Sequence, residues 1–299
     1  MGKRTKICLK LIISIAILFL IFFSVDIDSC LAALSNIDIK VFVLLVLLYV
    51  IGQIISALKW KVIAERLGFK NNFFTYVKFY FKGMFFNTFL PTNVGGDVMK
   101  IAYLKKNDDN SAAIERAFVS VVADRLSGLL VLVILAFVGV LCININGILR
   151  LLIISATLAA IFCLLLVLFF CCKKYEFENN ILQKVIYYNK LFINSSIIPI
   201  LLLSLSFHLL VIVIHILIGK TMHLDINLYY YLILYPVTAI AASLPVSLNG
   251  IGIKEAAYMY ILNLISVTPS QGLIFVFCWN LVVLISSLLG ASFFIEKTD

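Results

Sequence analysis

The sequence predicts an all-α polytopic membrane protein with eight hydrophobic segments, arranged as an inverted-topology repeat. About six segments are expected to be full transmembrane helices, and two to be re-entrant, broken-helix hairpins. The 299 residues are 63% hydrophobic and only 13% charged, whereas about a quarter of the residues in soluble domains are charged. Long apolar runs follow one another with short connections. Two further apolar segments are interrupted by proline and glycine at corresponding places in the two halves.

Six uninterrupted apolar runs are long enough to cross a membrane, since a spanning helix needs about 20 residues. They cover residues 7–25, 41–58, 117–142, 150–171, 197–218 and 271–294. The first run lacks a convincing cleavage site and is expected to be an uncleaved anchor rather than a signal peptide. Because the connections are short, we expect one membrane domain over residues 1–299. Its first repeat would be 1–142 and its second, inverted repeat 143–299.

The placement of basic residues predicts the orientation of the chain. With the N-terminus in the cytoplasm, most of the 24 lysines and arginines fall in cytoplasmic loops and tails, including Lys59 in the loop after the span 41–58. The outer loops then hold only Lys40, Arg150 and Lys220. Both termini are therefore expected on the cytoplasmic side of the plasma membrane. Topology explains the net charge of +9, so we expect no nucleic-acid partner.

The interrupted segments, 73–104 and 228–266, each begin and end on the same side by this count. The first segment starts and ends in the cytoplasm, and its roughly 32 residues are too few for two crossings. The second starts and ends outside. We therefore expect two re-entrant hairpins, with breaks at LPTNVGGD (90–97) and LPVSLNG (244–250).

A shift of 154 positions places one break over the other. The residues that match are Leu90, Pro91, Gly96, Lys100 and Ala102 with Leu244, Pro245, Gly250, Lys254 and Ala256. Each half contains two spans, a hairpin and a further span, and the halves start on opposite sides of the membrane. Two kinked helices placed alike by chance are the alternative. In transporters, paired interrupted segments of this kind mark the substrate site.

The breaks predict an anion site. Proline removes a backbone donor and glycine permits a turn, so the helices that follow Pro91 and Pro245 would begin with unpaired N–H groups and a positive dipole end. A phosphate suits such a place. The expected binding residues are the glycines and lysines of the two breaks, namely Gly95, Gly96, Lys100, Gly250, Gly252 and Lys254. Alternatively, each break is a tight turn buried for packing, with its lysine extending to the interface.

Ionisable residues near the breaks extend this candidate site. Intramembrane arginine is rare, and the planar fork of Arg125 can bind two phosphate oxygens. Asp97 or Asp124 would neutralise Arg125 in the empty site, although a structural Asp–Arg pair is an alternative. Glu255 would either carry a proton or act as the structural partner of a lysine.

Other polar residues receive structural roles. Four asparagines are expected only to satisfy broken backbone: Asn87, Asn93, Asn249 and Asn280. His208 and His215 share a helical face, where a proton relay is possible but a core role is favoured. The seven cysteines form no C-x-x-C pair, so we expect neither a metal nor a cofactor. Without a nucleophile–base constellation, we assign no catalytic residue and expect no enzyme.

Three stretches together carry a family resemblance: FLPTNVGGDVMKIAYL (89–104), ERAFVSVVADRLSGLLVL (115–132) and SLPVSLNGIGIKEAAY (243–258). Their order and spacing resemble the lysylphosphatidylglycerol synthase transmembrane, or flippase-like, family over essentially the whole chain. In that family, the membrane domain of the multiple peptide resistance factor moves aminoacylated phosphatidylglycerol between leaflets. Related membrane domains accompany archaeal glycosyltransferases that act on lipid-linked sugars.

The resemblance implies that Asp97, Arg125, Lys254 and Glu255 are the motif residues. This sequence has LNGIG where a glycine-richer stretch is common, and it lacks the soluble aminoacyl-transferase domain, so lysyltransferase activity is not expected.

The expected function is a lipid flippase-like transporter. It would bind an anionic phospholipid or a polyprenyl-phosphate-linked glycolipid and translocate it between leaflets. A separate lipid-modifying synthase or glycosyltransferase is the expected protein partner. One alternative is a membrane enzyme or enzyme subunit that transfers an aminoacyl or glycosyl group to a lipid. Another is a secondary transporter of a small soluble anion.

Overall fold

The computed structural model describes residues 38–89, 95–106, 112–143, most of 147–155, 197–243 and 250–295. The predicted span 7–25, most of the span 150–171, and both break prolines, Pro91 and Pro245, lie outside these residues. Within the described ranges the main elements are eight helices and no strand. They are α1 (Ile39–Arg66), α2 (Phe73–Phe89), α3 (Gly95–Lys106), α4 (Ala113–Cys142), α5 (Ile197–Thr221), α6 (Tyr231–Ser243), α7 (Ile253–Asn263) and α8 (Pro269–Ile295), with a short 3₁₀ turn, Leu228–Tyr230, before α6.

Among the helices that the structure describes, four are long and apolar enough to cross a membrane: α1, α4, α5 and α8. They coincide with four of the six predicted spans, 41–58, 117–142, 197–218 and 271–294, which are thereby confirmed as helices of spanning length. Many of their large apolar side chains also point outward; Leu47, Leu202 and Phe277 are each about half exposed. A helix that is apolar on all faces requires an apolar surrounding, so this outer surface fits hydrocarbon.

The interrupted segment 73–104 folds back on itself. The ring of Phe79 on α2 stacks on Tyr103 of α3 with centroids 4.8 Å apart. Further along α2, Gly83 lies against Gly96. The residue numbers in contact therefore increase along α2 as they decrease along α3, so the two helices are antiparallel. This agrees with the predicted hairpin, whereas its entry and return on one side of the membrane stays a prediction.

The segment 228–266 folds in the same manner. Helices α6 and α7 pack together, with Gly250 against Ala242 near the turn and Tyr258 close to Thr238 further along. Gly250 and Gly252 have φ angles of +73° and +85°, a backbone conformation that glycine adopts without steric cost. These two glycines let the chain turn sharply into α7.

Two pairs of helices pack in a corresponding way. The last long helix of each predicted half lies along the first hairpin helix of the other: α4 along α6, and α8 along α2. Each contact is centred on a glycine. Gly139 faces Leu232 and Ile233, and Gly290 faces Phe81 and Phe85. The two contacts correspond in sequence: Gly290 lies 151 positions after Gly139, and Leu232 lies 151 positions after Phe81.

Two of the long helices, α1 and α5, run in opposite directions. Helix α1 packs along α5, with Gly52 against Phe207, 155 positions later. Trp60 near the end of α1 shares one hydrophobic cluster with Ile200 near the start of α5. Leu45 near the start of α1 shares a second, larger cluster with Ile214. Helices α1 and α5 are therefore antiparallel.

Replacing Gly290 tests the reciprocal packing. A Cβ at position 290 would lie 2.3 Å from the carbonyl oxygen of Phe81, so the α2–α8 contact has to open. We expect Gly290→Ala to lower the unfolding free energy by about 1–3 kcal/mol, the usual cost of overpacking. Gly272→Ala on the same helix is the control, because its Cβ would lie at an ordinary 3.6 Å from Leu262. Thermal unfolding in detergent measures both variants, and equal melting temperatures would contradict the close contact.

Candidate functional site

A cavity of about 600 Å³ lies where the two hairpins approach each other. Helix α3 contributes Lys100 to its lining, and α7 contributes Lys254 and Glu255. Helices α1, α2 and α8 complete the lining with polar side chains that include Gln53, Tyr80, Asn87, Thr88 and Asn280. One cavity therefore receives a lysine from each of the two predicted breaks.

The cavity also has an apolar side. Ile251, Phe277 and Leu284 line it, and these three side chains are also exposed on the surface of the protein. Phe277 and Leu284 lie on α8, one of the helices long enough to span a membrane. The charged and polar groups of the cavity are thus bordered by residues that suit contact with hydrocarbon chains.

Lys100 is held between an acid and two aromatic rings. Its Nζ atom lies 3.4 Å from Asp124 Oδ2. The same atom lies 3.6 Å from the ring centre of Tyr80 and 5.1 Å from that of Trp60. A cation over an aromatic face is attracted by the ring quadrupole, and the attraction grows when water is excluded. Lys100 is only 5% exposed, so these contacts compensate for much of its lost hydration.

Asp124 is shared between two lysines. Lys59 Nζ lies 3.0 Å from Asp124 Oδ1 and also donates a hydrogen bond of 2.9 Å to the backbone oxygen of Asp124. Lys59, Lys100 and Asp124 are all buried. Removing one member of such a group leaves an uncompensated buried charge, which is strongly destabilising. These three side chains form the buried triad of the site.

Arg125 pairs with Asp97 instead. Its Nε donates to Asp97 Oδ2, and its side chain is half exposed. Of the two acids predicted to neutralise Arg125, the structure therefore pairs Asp97 with it and gives Asp124 to the lysines. Arg125, Asp97 and Asp124 are not among the residues that line the cavity in the described part of the chain.

On the opposite side of the cavity, Asn280 connects Lys254 and Glu255. Its side-chain oxygen accepts a hydrogen bond of 2.5 Å from Lys254 Nζ, and its amide donates one of 3.1 Å to Glu255 Oε1. The direct distance from Lys254 Nζ to Glu255 Oε1 is 4.0 Å. Asn280 thus orients both charged groups.

Two break amides are already occupied by protein oxygens. The Gly96 N–H donates to Asn87 Oδ1 over 2.8 Å, and the Gly252 N–H donates to Glu255 Oε2 over 2.7 Å. The role predicted for Asn87, satisfying broken backbone, agrees with this contact. An anion in the cavity would therefore be held by the lysines Lys100 and Lys254 rather than by these two amides.

The two histidines lie in an aromatic core. His208 Nδ1 bonds the Tyr235 hydroxyl at 2.8 Å. His215 Nδ1 lies 2.8 Å from the Val211 carbonyl oxygen, so Nδ1 carries the proton and Nε2 accepts from the Tyr258 hydroxyl at 2.6 Å. This arrangement supports the core role that the sequence favoured.

Sequence reasoning missed Lys59, which it assigned to a cytoplasmic loop. The signal was the helical spacing of α1. Four buried residues of α1 are spaced four, three and four residues apart, which places them on one helical face: Gly52, Ser56, Lys59 and Ile63. A lysine in line with small and apolar positions lies on the inner face of its helix. The role of Asn280 as a link between two charges had no comparable signal.

A cluster of buried charges inside a bundle of outward-facing apolar helices defines a multi-pass integral membrane protein with a polar interior. Residues 7–290 match the family described as the lysylphosphatidylglycerol synthase TM region. The chain belongs to this family, as the resemblance in its three motifs predicted.

Two archaeal membrane proteins are similar over part of the chain. UPF0104 membrane protein PH1989 of Pyrococcus horikoshii is 27% identical over 171 residues, 56% of this chain and 51% of that protein. UPF0104 membrane protein MJ1595 of Methanocaldococcus jannaschii is 28% identical over 124 residues, 41% of this chain and 36% of that protein. The matched region spans about half of the first relative and about a third of the second.

Proposed function

We propose that this protein binds the anionic headgroup of a membrane lipid in the cavity and carries it from one leaflet to the other. The observation that carries the proposal is the convergence of Lys100 and Lys254, one from each half, on one cavity of about 600 Å³. A phosphate between two ammonium groups gains charge-assisted hydrogen bonds. Both an anionic phospholipid and a polyprenyl-phosphate-linked glycolipid present such a phosphate.

The charge count of the site favours an anion. Lys59, Lys100, Arg125 and Lys254 contribute four positive charges, and Asp97, Asp124 and Glu255 contribute three negative charges. The excess is one positive charge, in a region where most of these groups are buried. A buried charge without a partner is costly, so an anionic ligand would complete the compensation.

The apolar border of the cavity favours a lipid over a small soluble anion. A headgroup entering past Phe277 and Leu284 would leave its acyl chains against exposed apolar side chains of α8. A soluble anion would need an aqueous entrance and would gain nothing from this border. An enzyme that transfers an aminoacyl or glycosyl group to a lipid is a further alternative, and turnover of a labelled donor by the purified protein would favour it.

Alternating access follows from the proposed architecture. The reciprocal glycine contacts and the antiparallel pair α1 and α5 support an inverted repeat, with residues 1–142 and 143–299 as its halves. The two antiparallel helix pairs support re-entrant hairpins, one from each side. Rocking of one half against the other would expose the cavity to each leaflet in turn. In this proposal the protein resides in the plasma membrane with both termini in the cytoplasm.

Lipid translocation in proteoliposomes tests the proposal. We expect fluorescent phosphatidylglycerol to become accessible to an impermeant quencher faster with the protein than in empty liposomes. Lys100→Gln and Lys254→Gln should each reduce this rate about tenfold, because each removes a charge-assisted contact of about 1.5–3 kcal/mol. The control is Lys220→Gln, which changes an exposed lysine at the end of α5.

Two outcomes would count against the proposal. Unchanged rates in both cavity variants would exclude the proposed site. Transport of inorganic phosphate into the vesicles, without any redistribution of the labelled lipid, would favour the soluble-anion alternative.

A further inference from the structure

We infer that Asp124 is an exchangeable internal counter-ion, which competes with the lipid headgroup for Lys100, and that Lys59 is the positioning residue that holds Asp124 during the exchange. This inference rests on the proposed function and adds how the site releases its ligand. It concerns the buried triad of Lys59, Lys100 and Asp124.

The two lysines hold Asp124 unequally. Lys59 makes two contacts with Asp124, a close ion pair of 3.0 Å with Oδ1, which lacks hydrogen-bond geometry, and a hydrogen bond of 2.9 Å to the backbone oxygen. Lys100 makes one, a long hydrogen bond of 3.4 Å to Oδ2. Charge-assisted N–H···O bonds are normally about 2.7–2.9 Å long. Lys59 is therefore the firm partner of Asp124, and Lys100 is the partner that can leave at lower cost.

Only one member of the triad reaches the ligand. Lys100 lines the cavity, whereas Lys59 and Asp124 do not belong to its lining in the described ranges. The rings of Tyr80 and Trp60 attract the Lys100 ammonium from positions independent of Asp124. Lys100 can thus turn from Asp124 toward a phosphate while the two rings still stabilise its buried charge.

The charges of the triad fit this exchange. Two lysines and one aspartate carry a net charge of +1, so a singly charged phosphodiester brings the group to neutrality. With the ligand bound, Lys59 neutralises Asp124 and Lys100 neutralises the phosphate. When the ligand leaves, Lys100 returns to Asp124, so no buried cation is left without an anion. Without Asp124, release would leave Lys100 uncompensated and would become slow.

This inference predicts opposite effects of Asp124→Asn on headgroup affinity and on translocation rate. Asp124→Asn removes the competitor for Lys100, so the headgroup should bind more tightly. The maximal translocation rate should fall, because release now costs more. A purely structural Asp124 would instead give weaker binding and lower stability together.

Trp60 supplies a direct probe of Lys100. The chain has two tryptophans, so Trp279→Phe leaves Trp60, 5.1 Å from the Lys100 ammonium, as the single emitter. In this background we would titrate short-chain phosphatidylglycerol into detergent-solubilised protein, with short-chain phosphatidylcholine as the reference, and follow Trp60 emission. Asp124→Asn should lower the half-saturating concentration about tenfold, the equivalent of one charge-assisted hydrogen bond. It should also reduce the maximal translocation rate in proteoliposomes.

A second variant covers the case in which Asp124→Asn does not fold. Lys59→Met combined with Asp124→Asn removes both members of the firm pair and keeps Lys100, so the same gain in affinity is expected. Unfolding of both variants would make Asp124 structural and would overturn the inference. Weaker or unchanged lipid binding in folded protein would overturn it as well.

The same titration distinguishes this inference from the proposed function. If Lys100→Gln leaves the phosphatidylglycerol titration unchanged, Lys100 is not a ligand contact and the proposed site fails. If Lys100→Gln weakens binding but the Asp124 variants do not strengthen it, only the counter-ion inference fails.

Discussion

Gly96→Ala is expected to abolish folding of the first hairpin. A Cβ at position 96 would lie 2.0 Å from the carbonyl oxygen of Gly83 and 2.7 Å from the side-chain carbon of Asn87. Backbone atoms cannot give way as a flexible side chain does, so α2 and α3 would have to separate. Separation breaks the hydrogen bond from the Gly96 N–H to Asn87. It also displaces Lys100, which lies one turn after Gly96 on α3. We expect little monodisperse protein after extraction in mild detergent.

A series of glycine-to-alanine changes should give losses of stability that increase as the added Cβ comes closer to its neighbours. At Gly83 a Cβ would lie 3.1 Å from the Gly96 oxygen, so a small adjustment suffices and a loss of about 1 kcal/mol, the low end of the overpacking cost, is expected. At Gly128 the nearest atom would be His208 Nε2 at 3.6 Å, an ordinary contact, so Gly128→Ala should fold normally. Size-exclusion profiles and melting temperatures should rank Gly128, Gly83 and Gly96 in that order. Normal expression and melting of Gly96→Ala would contradict the antiparallel packing.

The long helices were predictable from sequence because hydropathy over about 20 residues is a strong signal. The ends of these helices were less predictable. The predicted span 41–58 stops before Lys59, whereas α1 continues to Arg66. Hydropathy counts a lysine as a cost, but Lys59 is compensated by Asp124, a partner 65 positions away. A sequence window cannot contain that partner, so the buried end of α1 was assigned to a loop.

The site was predictable in its parts but not in its arrangement. Lys100 and Lys254 were found from the two breaks, and both line the cavity. Arg125 was the favoured phosphate contact, yet Asp124 rather than Arg125 turns toward the buried lysines. Adjacent helical residues point about 100° apart, because a turn holds 3.6 residues. The sequence establishes that an acid and a base are neighbours, but which of them faces the interior depends on how α4 packs against α1 and α3.

The same limit applies to the break amides. A helix that begins after a proline and glycines predicts unpaired N–H groups. In the structure Asn87 and Glu255 take up the amides of Gly96 and Gly252. Glu255 lies only three residues after Gly252, a spacing at which a carboxylate commonly reaches back to a helix start. That local signal was present in the sequence and favours a structural role for Glu255.

The second large effect is expected for Lys59→Met. This change removes the firm partner of Asp124 and leaves a buried carboxylate with Lys100 at 3.4 Å. Breaking a buried pair from one side costs about 3–5 kcal/mol, and Lys100 offsets only part of this cost because its contact with Asp124 is longer than that of Lys59. We therefore expect a marked fall in the melting temperature of the purified protein. Met keeps the length and apolar stem of Lys, so lost packing contributes little.

Two further variants identify the cause of that loss. Lys61→Met, two positions along α1, removes an i,i+4 pair with Glu65 whose side chains are 24% and 42% exposed, and it should cost less than about 1 kcal/mol. Asp124→Asn added to Lys59→Met leaves Lys100 with the rings of Tyr80 and Trp60 but without its anion. The double variant should therefore be less stable than Lys59→Met, yet more stable than Asp124→Asn alone, which leaves two buried lysines without an anion. A double variant that is more stable than Lys59→Met would instead show that Asp124 gains little from Lys100.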